Sequence, residues 1–342
     1  MRIHLCYHNG LFEFCASVLL LLYQFGYTFM DVILAQPRGF CAGVVRAIEI
    51  VERALDIYPH PVYVLHEIVH NRYVVDNLRQ RGAIFIESLE DVPEGAVCIF
   101  SAHGVANVVV KNAQSRDLNV IDATCPLVTK VHTQAQRYAQ QGYDIVIVGH
   151  AGHPEVEGTR GCVEGTVHVL CSKEEVENLN LPKETKLAYV TQTTLSIDDT
   201  RDVIAALSKY YPNIKGPELN DICYATQNRQ NAVRELAKTI DLLLVVGAHN
   251  SSNSNRLREL GEQVGVDSHL IETAENLDKA WFIDNPRVGV TAGASAPEIL
   301  IQGVLDQLKA WNITQVTQMD GEEETTTFKI PVELLQKSTA QK

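Results

Sequence analysis

Residues 120–128 read Val120-Ile121-Asp122-Ala123-Thr124-Cys125-Pro126-Leu127-Val128. The β-branched pair and the polar residue after it predict a short strand over 120–122. Pro126 suits the first position of a helix, where the N–H it lacks would be unpaired in any case, and this predicts a helix over 126–141. Cys125 stands between the two. The same succession recurs at Cys41, ahead of a helical stretch over 42–55, and at Cys223, ahead of one over 225–240. A polar strand-end follows each cysteine at a near-constant interval: His70 comes 29 residues after Cys41, His153 28 after Cys125 and Ser251 28 after Cys223. A further strand-end closes each unit: His103-Gly104, then Gln192-Thr193-Thr194, then Ala294-Ser295.

Outward from these points, apolar strand-like runs at 32–35, 62–65, 97–101, 120–122, 145–148, 187–191, 242–246 and 288–291 alternate with amphipathic stretches. Such alternation predicts an α/β fold with largely parallel sheets. In open sheets of this class, functional groups gather at the carboxyl ends of strands. The expectation is three related α/β modules, over 30–119, 120–218 and 219–318, with an extension at 1–29 and a tail at 319–342. A pseudo-threefold centre would bring the three cysteines together. Three ordinary α/β units that happen to carry cysteines would show the same spacing.

The chain has 342 residues, of which 46% are apolar and 21% charged, so it can bury a substantial core. Its formal charge of −13 argues against general nucleic-acid binding, which depends on Lys and Arg meeting phosphates. None of the eight cysteines forms a C-x-x-C pair, and a long, core-rich chain is not a secreted disulfide scaffold. Buried or ligating thiols in a reducing compartment, the cytoplasm, are expected. The apolar run over 16–30 is broken by Gln24 and Gly26 and falls short of the roughly 20 residues of a membrane span. Arg2 is the only Lys or Arg before Met30, Glu13 adjoins the run, and no A-x-A-like cleavage site follows. Met30 directly precedes the first core strand, so translation is expected to begin there. Nothing in the pattern forces oligomerisation, and a monomer is expected.

A cysteine at a helix N-terminus feels the positive end of the helix dipole, which favours the thiolate that ligates metal. Three thiolates suit zinc with a fourth ligand, or an iron–sulfur cluster with one iron left open to substrate. Gaps of 84 and 98 residues between the cysteines differ from the close ligand pairs of structural zinc and fit a site assembled between modules. His70, His103, His153, Ser251, Ser252 and Asn253 lie at or just after strand-ends and are donors suited to phosphate oxygens. Ser295-Ala296-Pro297-Glu298 reads as a capping box with Ser295 as N-cap. Glu155 is a candidate proton donor, and spacing alone makes Glu157 its equal. Cys98, Cys162, Cys171, His132 and His168 read as structural, while His66 and His150 adjoin candidate site residues.

The motifs Pro37-Arg38-Gly39-Phe40-Cys41-Ala42-Gly43-Val44, Glu67-Ile68-Val69-His70-Asn71, Ser101-Ala102-His103-Gly104-Val105 and the Cys125 stretch above belong together. So do His153-Pro154-Glu155-Val156-Glu157-Gly158, Thr191-Gln192-Thr193-Thr194, Asp221-Ile222-Cys223-Tyr224-Ala225-Thr226, Ser251-Ser252-Asn253-Ser254 and Thr291-Ala292-Gly293-Ala294-Ser295. As a set, from about Met30 onward, they resemble the 4-hydroxy-3-methylbut-2-enyl diphosphate reductase (LytB) family. The resemblance implies three modules around one [4Fe–4S] cluster, with Cys41, Cys125 and Cys223 as its ligands. It implies that His70, His103, His153, Ser251, Asn253 and Ser295 grip the substrate diphosphate, with Ser252 close by. Thr193 and Glu155 would adjoin the substrate hydroxyl, Glu155 supplying protons. Two electrons, from a donor such as ferredoxin or flavodoxin, and two protons would remove that hydroxyl as water. The products would be isopentenyl and dimethylallyl diphosphate, at the last step of the non-mevalonate isoprenoid pathway. The competing readings of the same residues are a zinc-dependent hydrolase and a structural iron–sulfur sensor.

Overall fold

The computed structural model describes residues 30–217, 221–283, 286–311 and 313–336. The segment 1–29, expected to be an upstream extension, lies outside the described residues. Three parallel sheets form the frame. The first contains β2 (Val62–Leu65), β3 (Ala83–Ile86), β4 (Val97–Phe100) and β5 (Asn119–Asp122), in the order β3-β2-β4-β5. The second contains β6 (Asp144–Val148), β7 (Val167–Leu170) and β8 (Leu187–Thr191), in the order β7-β6-β8. The third contains β1 (Met30–Leu34), β9 (Leu242–Val246), β10 (Asp267–Ile271), β11 (Val288–Ala292) and β12 (Ile313–Gln318), in the order β10-β9-β11-β1-β12. Strands β2, β4, β8, β9 and β11 are buried along their whole length, which explains why they read as unbroken apolar runs instead of alternating ones.

The sheets share one plan, and it corrects the expected module boundaries. Strand β1, expected in the first module, pairs with β11 through Val32 opposite Val288. Strand β5, expected to open the second module, pairs with β4 through Val97 opposite Asn119. In the second sheet the corresponding place beside β8 is held by a single bridge, Ala188 to Lys215. Each cysteine follows this fourth position of one sheet, and the helix it opens covers the next sheet. The helix Ala42–Ile57 packs Val44, Ala47 and Ile50 against Val62, Val64 and Ile99 of the first sheet. The helix Pro126–Gln140 sets Val131 and Ala135 on Ile145 and Ile147 of the second. The helix Tyr224–Leu236 sets Ala232, Val233 and Leu236 on Leu243 and Val245 of the third. Grouping each strand with the helix after it, as local pattern suggests, therefore joins pieces of two modules. The cysteines stand at the three crossings between modules.

The C-terminal stretch is tied down over its described part. Met319 N–H donates to the Leu34 carbonyl, Leu334 is fully buried in the first core, and Glu324 pairs with the fully buried Arg229. Among the described residues no helix is long and apolar enough to cross a membrane.

Candidate functional site

The crossings and the strand-ends face one cavity of about 710 Å³ of empty space, part of it open to solvent. Cys41, Cys125 and Cys223 line it, with His70, His103, His153, Glu155, Thr193, Ser251, Ser252, Asn253 and Ser295. Every residue expected at the site is thus brought to one place.

Each cysteine occupies the N-cap position of its helix with non-helical backbone. The Cys223 sulfur accepts from Thr226 N–H at 3.4 Å and lies 3.2 Å from the Thr226 hydroxyl. Burial pushes the Cys125 thiol up to about 12 and Cys223 to about 11, and neighbouring cysteines add to the rise. In the protein alone, burial outweighs the helix-end effect that favours thiolate. Cys125 and Cys223, whose ionisation burial and neighbouring thiols oppose, form with Cys41 an arrangement that a bound cationic centre relieves, because ligation replaces the protons. Gly43 keeps the space between them open: a Cβ there would lie 2.7 Å from the Cys125 sulfur and 3.9 Å from the Cys41 sulfur. Among the described residues no three of His, Cys, Asp or Glu approach closely enough to share a single ion.

The three histidines form the other wall. The His70 and His103 rings stack at 4.2 Å between centroids, and His153 meets them edge-on at 5.7 and 5.9 Å. Burial, with the other histidines nearby, holds His153 down to about 4 and His103 well below its usual range, so both stay neutral. Glu155 N–H donates to His153 Nδ1 at 3.1 Å as a helix cap, which leaves the ring proton on Nε2 as a donor. Ala294 N–H donates to Asn253 Oδ1 at 2.8 Å, which fixes the amide and leaves Asn253 Nδ2 buried without a partner. His70 Nε2 is likewise buried and unpaired. Unsatisfied buried groups of this kind are costly and mark places where a ligand completes the bonding. The Ser251 hydroxyl accepts from Ser254 N–H and from the Ser254 hydroxyl, so its own proton is free to donate.

Ser295 corrects one expectation. The helix begins at Glu298 with Pro297 at its N-cap position, so Ser295 does not cap it. Its hydroxyl donates to the His70 carbonyl at 3.0 Å, joining the third module to the first. Ser252 lines the cavity while its hydroxyl reaches the Thr194 carbonyl at 3.5 Å.

Glu155 is 3% exposed, whereas Glu157 turns outward and accepts from Gly152 N–H. This separates two carboxylates that spacing left equal. Thr193 donates to Glu155 twice, from its N–H at 2.6 Å and its hydroxyl at 2.9 Å. Burial nevertheless pushes the Glu155 carboxyl up to about 7, against the lowering effect of those two bonds, with Asp221 adding to the rise. The Thr193 carbonyl accepts from Cys223 N–H at 3.1 Å, so one residue ties the acid to a cysteine of the cluster of thiols.

The remaining residues stay out of the site. Cys98 is core within β4, and Cys162 bonds the Val105 carbonyl beside His132. His66 pairs with Glu87, His150 meets Arg256, and Cys171 is exposed beside Glu175. Gly43, Glu67, Thr226 and Asn250 were missed as parts of the site. Only Thr226 carried a local signal, three residues after a cysteine at a helix start.

The sequence pattern of the LytB protein family matches residues 32–309. The chain is 59% identical over 307 residues to 4-hydroxy-3-methylbut-2-enyl diphosphate reductase of Burkholderia pseudomallei, covering 90% of this chain and 98% of that protein. It is 58% identical over 301 residues to reductase 1 of the same name from Rhodopseudomonas palustris, covering 88% and 98%. The fold superposes on the solved E-1-hydroxy-2-methyl-but-2-enyl-4-diphosphate reductase of Plasmodium falciparum with a TM-score of 0.86 at 39% identity, covering 90% of this chain and 98% of that one.

Proposed function

The chain belongs to the LytB protein family and is a 4-hydroxy-3-methylbut-2-enyl diphosphate reductase, and we propose that it works through one [4Fe–4S] cluster held by Cys41, Cys125 and Cys223. The observation that carries this reading is the shared cavity, with three thiols on one wall and unpaired donors on the other. Held by these three cysteines, such a cluster would supply electrons and Lewis acidity for loss of the hydroxyl.

The rest follows from the chain's own groups. His70, His103, His153, Ser251, Asn253 and Ser295 take the diphosphate, with Ser252 beside them. Neutral His153 donates from Nε2 and Asn253 from its unpaired Nδ2, so an acidic protein binds an anion without Lys or Arg in the cavity wall. Binding at that end orients the distant hydroxyl toward the thiols. Burial lifts Glu155 to about 7, so part of it is protonated at neutral pH; that acid turns its O–H to the Thr193 hydroxyl 2.9 Å away, and Thr193 turns its own proton from the carboxylate to the departing oxygen. Hydroxide leaves poorly, so this protonation is what makes water the leaving group. Two electrons and a second proton, added to the allylic carbon skeleton, complete the reaction and give isopentenyl or dimethylallyl diphosphate plus water.

The reading also places the protein in the cytoplasm as a monomer that takes electrons from a donor such as ferredoxin or flavodoxin. The test is anaerobic turnover of the hydroxylated diphosphate with a reduced donor. Formation of both products supports the reading. A protein with its full iron content that consumes no substrate overturns it and returns the sensor reading.

A further inference from the structure

His70 is set apart from its two neighbours by a carboxylate. Glu67 Oε2 lies 3.2 Å from His70 Nδ1 and also accepts from Asn250 Nδ2 at 2.9 Å. Glu67 and His70 come from the loop after β2 in the first module, Asn250 from the loop after β9 in the third. Among the described residues, the hydrogen-bond partners of the other two rings are neutral: Ser101 at His103 Nδ1 and a backbone N–H at His153 Nδ1. The amide of Asn250 also lies 3.4 Å from His70 Nδ1, but its shorter bond is to Glu67, so Nδ1 keeps its proton for the carboxylate. That leaves His70 Nε2, which is buried and unpartnered.

A bare Nε2 lone pair repels an oxyanion. To join the grip, Nε2 needs a proton of its own, and the ring then carries a charge that must be balanced in a buried place. We propose that Glu67 is a positioning residue: it holds the His70 ring through Nδ1–H and balances the imidazolium formed when Nε2 donates to a diphosphate oxygen. His70 is then the cation of the grip, and His103 and His153 are neutral donors. The bond to His70 is the largest cause holding the Glu67 carboxyl below the usual carboxylate range, which keeps it anionic for this task. Charge-assisted bonds are about twice as strong as neutral ones, so this pair concentrates binding at the phosphate end.

The inference rests on the reading that the diphosphate sits among the three histidines. Its test is calorimetric titration of the cluster-loaded enzyme with inorganic diphosphate, for wild type, Glu67→Gln, His70→Asn and the double variant. Each single change should weaken binding by about tenfold, equal to about 1.4 kcal/mol. The double variant should be no weaker than the weaker single one, because both changes remove one device. KM for the substrate should rise in step, with kcat changing less. Wild-type affinity in Glu67→Gln, with His70→Asn impaired, overturns the role of Glu67 alone. Losses that add in the double variant also overturn it and assign Glu67 to the tie with Asn250. A wild-type enzyme that ignores diphosphate overturns the diphosphate site itself.

Discussion

Glu155 and Thr193 are 38 residues apart in sequence, and the threonine closes on the carboxylate with both its N–H and its hydroxyl, at 2.6 and 2.9 Å. The pair spans the second sheet, from the helix after β6 to the end of β8. An acid that is fully ionised at neutral pH cannot donate, so the burial that lifts Glu155 to about 7 is what fits it for the reaction.

Turnover should therefore fall as pH rises through about 7, since the protonated form is the donor. Glu155→Gln should keep the thiol-held centre and lose on the order of 10²–10⁴ in kcat. Its residual rate should lack that pH step. A raised acid contributes stability that is fully present below its ordinary value of 4.5 and is lost as pH climbs to about 7. Wild type should accordingly lose stability relative to Glu155→Gln across that window, measured by urea unfolding at several pH values.

Gly43 is a test of the wall between the thiols. Gly43→Ala puts a Cβ 2.7 Å from the Cys125 sulfur, and a helical alanine is otherwise favourable by roughly 1 kcal/mol. The fold should survive while iron is held at least about tenfold more weakly, a typical penalty for disturbing the shell around a metal ligand. Circular dichroism and iron analysis on the same sample separate the two effects.

Arg229 is fully buried and reaches the Gly39 carbonyl at 2.7 Å, two residues before Cys41, while Glu324 neutralises it from the C-terminal stretch. Glu324→Ala strands a buried charge, and stability should drop by about 3–5 kcal/mol. Denaturant unfolding measures the loss directly. Faster release of iron to a chelator should accompany it, because Arg229 holds the loop that carries Cys41.

Much of this site was legible because the chain repeats. Cys41, Cys125 and Cys223 stand out through a common spacing to His70, His153 and Ser251, and helix starts and strand ends are local features that sequence records well. Pairing between distant strands is not local. Strand β1 reads like the opening of its own module, and only its hydrogen bonds to β11 and β12 assign it to the third sheet. Ser295 satisfied the capping-box pattern, but Pro297 takes the N-cap position, which releases the serine hydroxyl toward His70. Glu155 and Glu157 sit two apart on one helix and so point to different sides, one inward and one to solvent. Glu67 and Asn250 lie 183 residues apart, and no local pattern joins them.

The central claim is that three thiols hold one cluster with an iron left open to substrate. The most direct test is iron and acid-labile sulfide per chain on anaerobically purified protein, with Mössbauer spectra recorded with and without the hydroxylated diphosphate. The account predicts about four of each, with one iron site altered by the ligand. Zinc in place of iron, or a cluster whose spectrum ignores the diphosphate, would contradict it.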